Sequence, residues 1–107
     1  MALDAAPRLL HAVFFTLKDR SPQACDALVG ACEKYLTDHP GAINFSAGLR
    51  GQEYVRPVND QQFDVALVIV FATEADHDRY QSAPRHRTFV EEQSPNWAEV
   101  RVFDALV

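Results

Sequence analysis

Phe63-Asp64-Val65-Ala66-Leu67-Val68-Ile69-Val70-Phe71-Ala72 is apolar at every position but Asp64. The run reads as a strand. One side carries Phe63, Val65, Leu67, Ile69 and Phe71; the other carries Ala66, Val68, Val70 and Ala72. A strand this apolar on both sides is covered on both faces. What covers it decides the architecture.

Leu9 to Leu17 has the same two-faced character, with Leu9, His11, Val13, Phe15 and Leu17 against Leu10, Ala12, Phe14 and Thr16. A helix follows. Ser21 is placed to cap its free N–H groups and Pro22 suits the first helical position. Ala24, Leu28, Ala31, Cys32, Tyr35 and Leu36 recur at helical spacing and form a core stripe. Asp38-His39-Pro40-Gly41 stops that helix. Ala42 to Leu49 reads as a strand with Ile43, Phe45 and Ala47 on one face, and Gly48 marks a bulge or a close backbone approach. Arg50 to Gln62 is a long polar loop carrying Pro57, of a length often tied to function or to partner contact.

Beyond the apolar strand, Thr73 caps a second helix with Asp76 in the capping-box position. That helix runs to about Ser82, and Pro84 restarts a helical segment to Gln93. Ser94-Pro95-Asn96 turns the chain into a last strand, Trp97 to Leu106, with Val100 and Val102 on one face and Arg101 and Phe103 on the other. The order βαββαβ predicts an α+β, ferredoxin-like fold: a four-stranded antiparallel sheet with helices on one face. Helices on one face leave Leu10, Phe14 and Val68 on the other. An apolar patch of that size marks an interface. A homodimer joined through the sheet face opposite the helices is therefore expected.

The chain has 107 residues, which predicts one domain, residues 9–107, after a flexible N-terminal segment 1–8. A net charge of −5 argues against nucleic acid as a partner, since phosphate contacts favour a basic face. No apolar run is long enough to span a membrane. No secretory leader is expected either, because Asp4 and Pro7 interrupt the start. A cytoplasmic location is the default. Cys25 and Cys32 lie on one helix with Cα atoms about 10.5 Å apart at 1.5 Å rise per residue. That is too far for a disulfide, so they read as small buried hydrophobes. No paired histidine or cysteine spacing points to a metal, and no Gly-rich phosphate loop is present. No metal or cofactor is expected.

Several stretches together resemble one known family, the stress-responsive dimeric α/β-barrel proteins. They are His11-Ala12-Val13-Phe14-Phe15-Thr16-Leu17-Lys18, His39-Pro40-Gly41 with Gly48, Tyr80 with Pro84-Arg85-His86, and Val102-Phe103-Asp104. The resemblance spans about residues 9 to 106 and implies a dimeric α/β barrel. The plant olivetolic acid cyclase type in this family closes a polyketide by aldol condensation, with a tyrosine and a histidine of the second helical region as acid and base. Its motif places a histidine where this chain has Ala83, while Tyr80 and His86 match the tyrosine and the second histidine.

The resemblance thus implies Tyr80 and His86 as catalytic candidates. His11, Val13, Phe15 and Phe89 join them as binding residues of a sheet–helix pocket. Six residues of regular helix would keep Tyr80 and His86 apart, so the break at Pro84 must redirect the chain if they meet. The chemistry fits the residue types: a histidine exchanges protons near neutrality, and a tyrosine hydroxyl can donate to a developing oxyanion. The expectation is a dimer binding a small apolar or acidic organic molecule, the flanking Arg85 and Arg87 favouring the acidic kind and lowering the His86 pKa. One alternative is a cofactor-independent lyase or cyclase using Tyr80 and His86. The other is a monooxygenase of related dimeric barrels, of the antibiotic-biosynthesis or haem-degrading type, in which His77 would be the helix histidine.

Overall fold

The computed structural model describes residues 6–107. Its elements run β1 (Leu9–Leu17), α1 (Pro22–Leu36), β2 (Ala42–Leu49), β3 (Val65–Phe71), α2 (Glu74–Gln81), α3 (Pro84–Gln93), a three-residue 3-10 turn (Ser94–Asn96) and β4 (Trp97–Leu106). The strands form one antiparallel sheet in the order β2-β3-β1-β4. The two-faced strands β1 and β3 thus occupy its centre, as continuous hydrophobicity demands. Of the expected N-terminal segment, residues 1–5 lie outside the described residues. Arg8 is tied to the C-terminal end by two 2.9 Å backbone hydrogen bonds with Val107.

The helices cover one face. Beneath them Leu9, Val13, Phe15 and Leu17 of β1 meet Val65, Leu67, Ile69 and Phe71 of β3 and the Cys25, Leu28, Ala31, Cys32 and Leu36 stripe of α1. The caps form as the sequence predicts. Ser21 accepts from the Ala24 N–H at 3.2 Å, and Thr73 accepts from the Asp76 N–H at 3.1 Å while its hydroxyl donates to that carboxylate. Both cysteines are free and buried. Burial pushes the Cys32 thiol up to about 12 and raises that of Cys25, so neither is a nucleophile near neutrality.

The opposite face carries Leu10, Ala12 and Phe14 of β1, Ala66, Val68 and Val70 of β3 and Phe103 of β4, in register with one another. Phe14 packs edge-on against Phe63 and Phe103, with centroids 5.0 and 5.8 Å apart. Only Ala12, small and flanked by Val68 and Phe103, is buried there; Phe103 itself is 53% exposed.

Three expectations are corrected. Ile43 does not share a face with Phe45 and Ala47. The β2–β3 register slips between Ala42 and Asn44, and Ile43, left unpaired in that irregularity, is 53% exposed. Gly48 marks neither a bulge nor a close approach within the protomer, since a Cβ there would meet nothing within 4 Å. Phe63 lies outside β3 and stacks on the open face with Phe14, because the chain leaves strand geometry at Asp64.

Asp64 is the anchor of the long loop. Its buried carboxylate accepts from the Leu17 N–H at 2.9 Å and from Arg20 Nε at 2.9 and 3.1 Å, and its own N–H donates to Phe15 O at 2.7 Å. Asp64→Ala leaves the Leu17 N–H without an acceptor and Arg20 without its partner. The expected loss is about 2–3 kcal/mol, read as a lower urea midpoint at unchanged slope.

Candidate functional site

The site arises from incomplete coverage of the sheet. Helix α1 packs on β2, β3 and α3, and α2 packs on β3. The helix-side residues of the edge strand β4 are left open, Val102 being 50% exposed. Between β4 and the α2–α3 wall lies a cavity of about 340 Å³. It is lined by His11, Val13 and Phe15 from β1, by Tyr80, His86 and Phe89 from α2 and α3, and by His77, Trp97, Val102 and Asp104 among others. The structure brings all six sequence-predicted residues to this one space. The volume falls in the range of small-molecule sites, and the lining is mostly apolar with a few convergent polar groups, which is their usual character.

The helix break redirects the chain. α2 ends at Gln81, Ser82 closes it, and Ala83 in extended geometry leads into Pro84 at the first turn of α3. The Tyr80 and His86 rings consequently meet edge to face, with centroids 4.8 Å apart. Tyr80 is 2% exposed and packs on Phe71 at 5.0 Å and on the His39 ring at 5.0 Å. His39 belongs to the turn as expected, but it is buried there, and its Nε2–H donates to Tyr35 O at 2.8 Å, holding the end of α1.

His11 is 4% exposed, and its Nδ1–H donates to Asp104 Oδ1 at 2.6 Å. A carboxylate only accepts, so the bond fixes the proton on Nδ1. Asp104 also lies 3.8 Å from His77 Nε2, and the His11 and His77 rings are 5.0 Å apart. His77 and Asp104 were not legible as binding partners of His11 in the sequence. They come from three separate elements, and only the β1–β4 register, which sets His11 opposite Asp104, unites them.

Burial pushes the Tyr80 phenol up, so it is a protonated donor at neutral pH. His86 is lowered, first by burial and then by the neighbouring imidazoles of His11, His39 and His77. His11 is lowered by burial, which outweighs the opposing hydrogen bond and charge of Asp104. The expected role of the flanking arginines is corrected here. Arg85 turns away from the cavity and donates to Thr37 O and Lys34 O, both at 2.8 Å, at the C-terminal end of α1. Among the described residues neither Arg nor Lys lines the cavity, so none of them offers an acidic ligand a guanidinium or ammonium partner there.

These shifts carry a stability prediction. Both histidines titrate below about 6.5 in the folded chain and near that value unfolded. Between the two the unfolded chain binds more protons. Their contribution is therefore complete above pH about 6.5 and is lost as the pH falls through the folded pKa values. Thermal midpoints measured from pH 7.5 to 5 should decline, and His86→Phe should make the decline shallower.

A second cleft, of about 400 Å³, lies beneath the 50–64 loop and is lined by Arg20, Arg50, Gln61, Gln62 and Asp64 among others. Its cations are already engaged: Arg20 with Asp64, and Arg50 Nε with Phe63 O at 3.0 Å. These contacts anchor the loop, and the histidines converge at the other cavity.

A βαββαβ chain with this strand order and its helices on one face is a ferredoxin-like α+β protein. The sequence profile of the stress responsive A/B barrel domain matches residues 9–107, and the chain belongs to that family. A ferredoxin-like protein of the family from Mesorhizobium loti MAFF303099 is 25% identical, with a TM-score of 0.78 over 94% of this chain and 97% of its own. A dimeric ferredoxin-like protein of unknown function from Thermobifida fusca YX is 19% identical, with a TM-score of 0.78 over 95% and 92%. A hydroxynitrile lyase from Passiflora edulis has the same fold at 19% identity, with a TM-score of 0.75 over 95% and 94%. No curated protein matches the chain in sequence. Among the described residues no helix is long and apolar enough to cross a membrane.

Proposed function

We propose that the protein is a homodimer, joined through the open sheet face, whose protomers each take a small, largely apolar carbonyl or hydroxyl compound into the β4 cavity and carry out acid–base chemistry on it. The observation that carries the reading is the contact of the Tyr80 and His86 rings, 4.8 Å apart, in the wall of a cavity of about 340 Å³. His86 is neutral at pH 7 and takes a proton from a carbon next to a carbonyl or from a hydroxyl. The Tyr80 hydroxyl keeps its proton and donates to the oxygen on which charge develops. Proton transfer of this kind serves both aldol ring closure and the cleavage of a hydroxynitrile, so the reaction class is a lyase or cyclase. The lyase neighbour of the same fold supports the class. The dimeric neighbour and the in-register apolar face of Leu10, Phe14, Val68 and Phe103 support the dimer.

The test is a substrate panel of aliphatic and aromatic hydroxynitriles and poly-β-keto thioesters, assayed with the wild-type protein and with His86→Phe. Turnover by the wild type that the variant lacks is the expected result. Turnover unaffected by the substitution removes His86 from the chemistry.

A further inference from the structure

At the β4 rim of the cavity, His11, His77 and Asp104 each offer one ligand atom, and the three atoms lie within 4.8 Å of one another. We propose that this trio is a binding site for a first-row divalent cation of the zinc type, with two imidazoles and one carboxylate as protein ligands. The proposal is independent of the Tyr80–His86 reading.

The spacing carries it. Two ligands each roughly 2.1 Å from a tetrahedral ion stand about 3.4 Å apart. His11 Nδ1 and His77 Nε2 lie 2.6 and 3.8 Å from Asp104 Oδ1, on either side of that value. Small side-chain rotations bring the set to it. The orientation of His77 is a second observation. Its Nδ1–H donates to Asp78 Oδ1 at 3.3 Å, and the Gln81 amide N–H donates to Nε2 at 3.2 Å. Nε2 therefore holds its lone pair, in contact with Gln81 and near Asp104. A histidine that gives its other ring N–H to a carboxylate is the arrangement metal ligands adopt.

The surroundings agree. His11 and His77 are held at 5% and 12% side-chain exposure, while the Asp104 side chain is 40% exposed and opens a way in from solvent. The donors are nitrogen-rich, which suits zinc-type ions and disfavours Mg²⁺ and Ca²⁺. On binding, His11 changes tautomer: Nδ1 gives up its proton and offers its lone pair to the cation, while Nε2 takes a proton from solvent, so the ring stays neutral. Three protein ligands leave a coordination position open beside the cavity.

The experiment titrates tag-free, chelator-treated protein with Co²⁺ followed by visible absorption, and with Zn²⁺ in competition against a chromophoric chelator. Expected are one ion per chain, Co²⁺ bands of a low-coordinate nitrogen–oxygen site, and affinity about 100-fold weaker in both His77→Ala and Asp104→Ala. His86→Phe should bind the ion as the wild type does. Circular dichroism checks each variant, and should His77→Ala not fold, Asp104→Ala decides. Absence of stoichiometric binding overturns the site. So does binding that survives both substitutions, or binding lost in His86→Phe.

Discussion

Val68→Asp is expected to turn a dimer into a folded monomer. Val68 sits at the middle of the open face, opposite Ala12 on β1 and Ser46 on β2, and is only half-buried within the protomer. A carboxylate there costs the isolated chain little. Across an interface with twofold symmetry the substitution enters twice. Each unpaired carboxylate taken out of water costs about 3 kcal/mol. Two of them weaken association by roughly four orders of magnitude, at 1.4 kcal/mol per tenfold. Sedimentation equilibrium near 10 µM should give a dimer for the wild type and a monomer with unchanged circular dichroism for the variant. A monomeric wild type would mean that the Leu10, Phe14, Val68 and Phe103 face serves something other than self-association.

The second large effect is on catalysis. His86→Phe keeps an aromatic ring against Tyr80 but removes the nitrogen that the proposed chemistry uses to take the proton. Loss of a positioned acid–base group lowers kcat by about 10²- to 10⁴-fold. His86 is half-buried, on the first turn of α3, and lines the cavity, which has room for the slightly larger phenyl ring, so thermal stability at pH 7.5 should stay close to that of the wild type. Tyr80→Phe should cost about 10²- to 10³-fold, as the loss of one donor to a developing oxyanion does. The acid limb of the wild-type rate profile should fall below pH 6.5, because burial and the His11, His39 and His77 imidazoles all disfavour the protonated ring. A variant that unfolds instead would show His86 to be a packing residue.

The sequence carries most of the fold because its signals are local or periodic. The two-faced runs of β1 and β3 define the sheet centre, and Ser21-Pro22 and Thr73 set the helix starts to within a residue. The pair Tyr80 and His86 was legible through the family resemblance, and their meeting through a local break. Pro84 announces a redirected chain, and the convergence of Tyr80 with His86 follows from it.

What stayed hidden depends on pairing between distant segments. The Ile43 irregularity is a matter of β2–β3 register and leaves no mark in composition. Phe63 extends the alternation of β3 in sequence, yet the pull of the buried Asp64 carboxylate toward Leu17 and Arg20 ends the strand before it. Arg85 beside His86 looked like a partner of the cavity, but the free carbonyls at the end of α1 claim it. His77 and Asp104 became neighbours of His11 only through the sheet.

The acid–base chemistry proposed for His86 can be measured without knowing the physiological substrate. Exchange of the α-protons of a small, weakly acidic β-diketone or ketone into D₂O, followed by ¹H NMR at pH 7, reads proton abstraction alone. Enzyme-dependent exchange in the wild type that His86→Phe abolishes, with Tyr80→Phe reduced, is the predicted result. Exchange no faster than buffer, or equally fast in wild type and His86→Phe, would contradict the account.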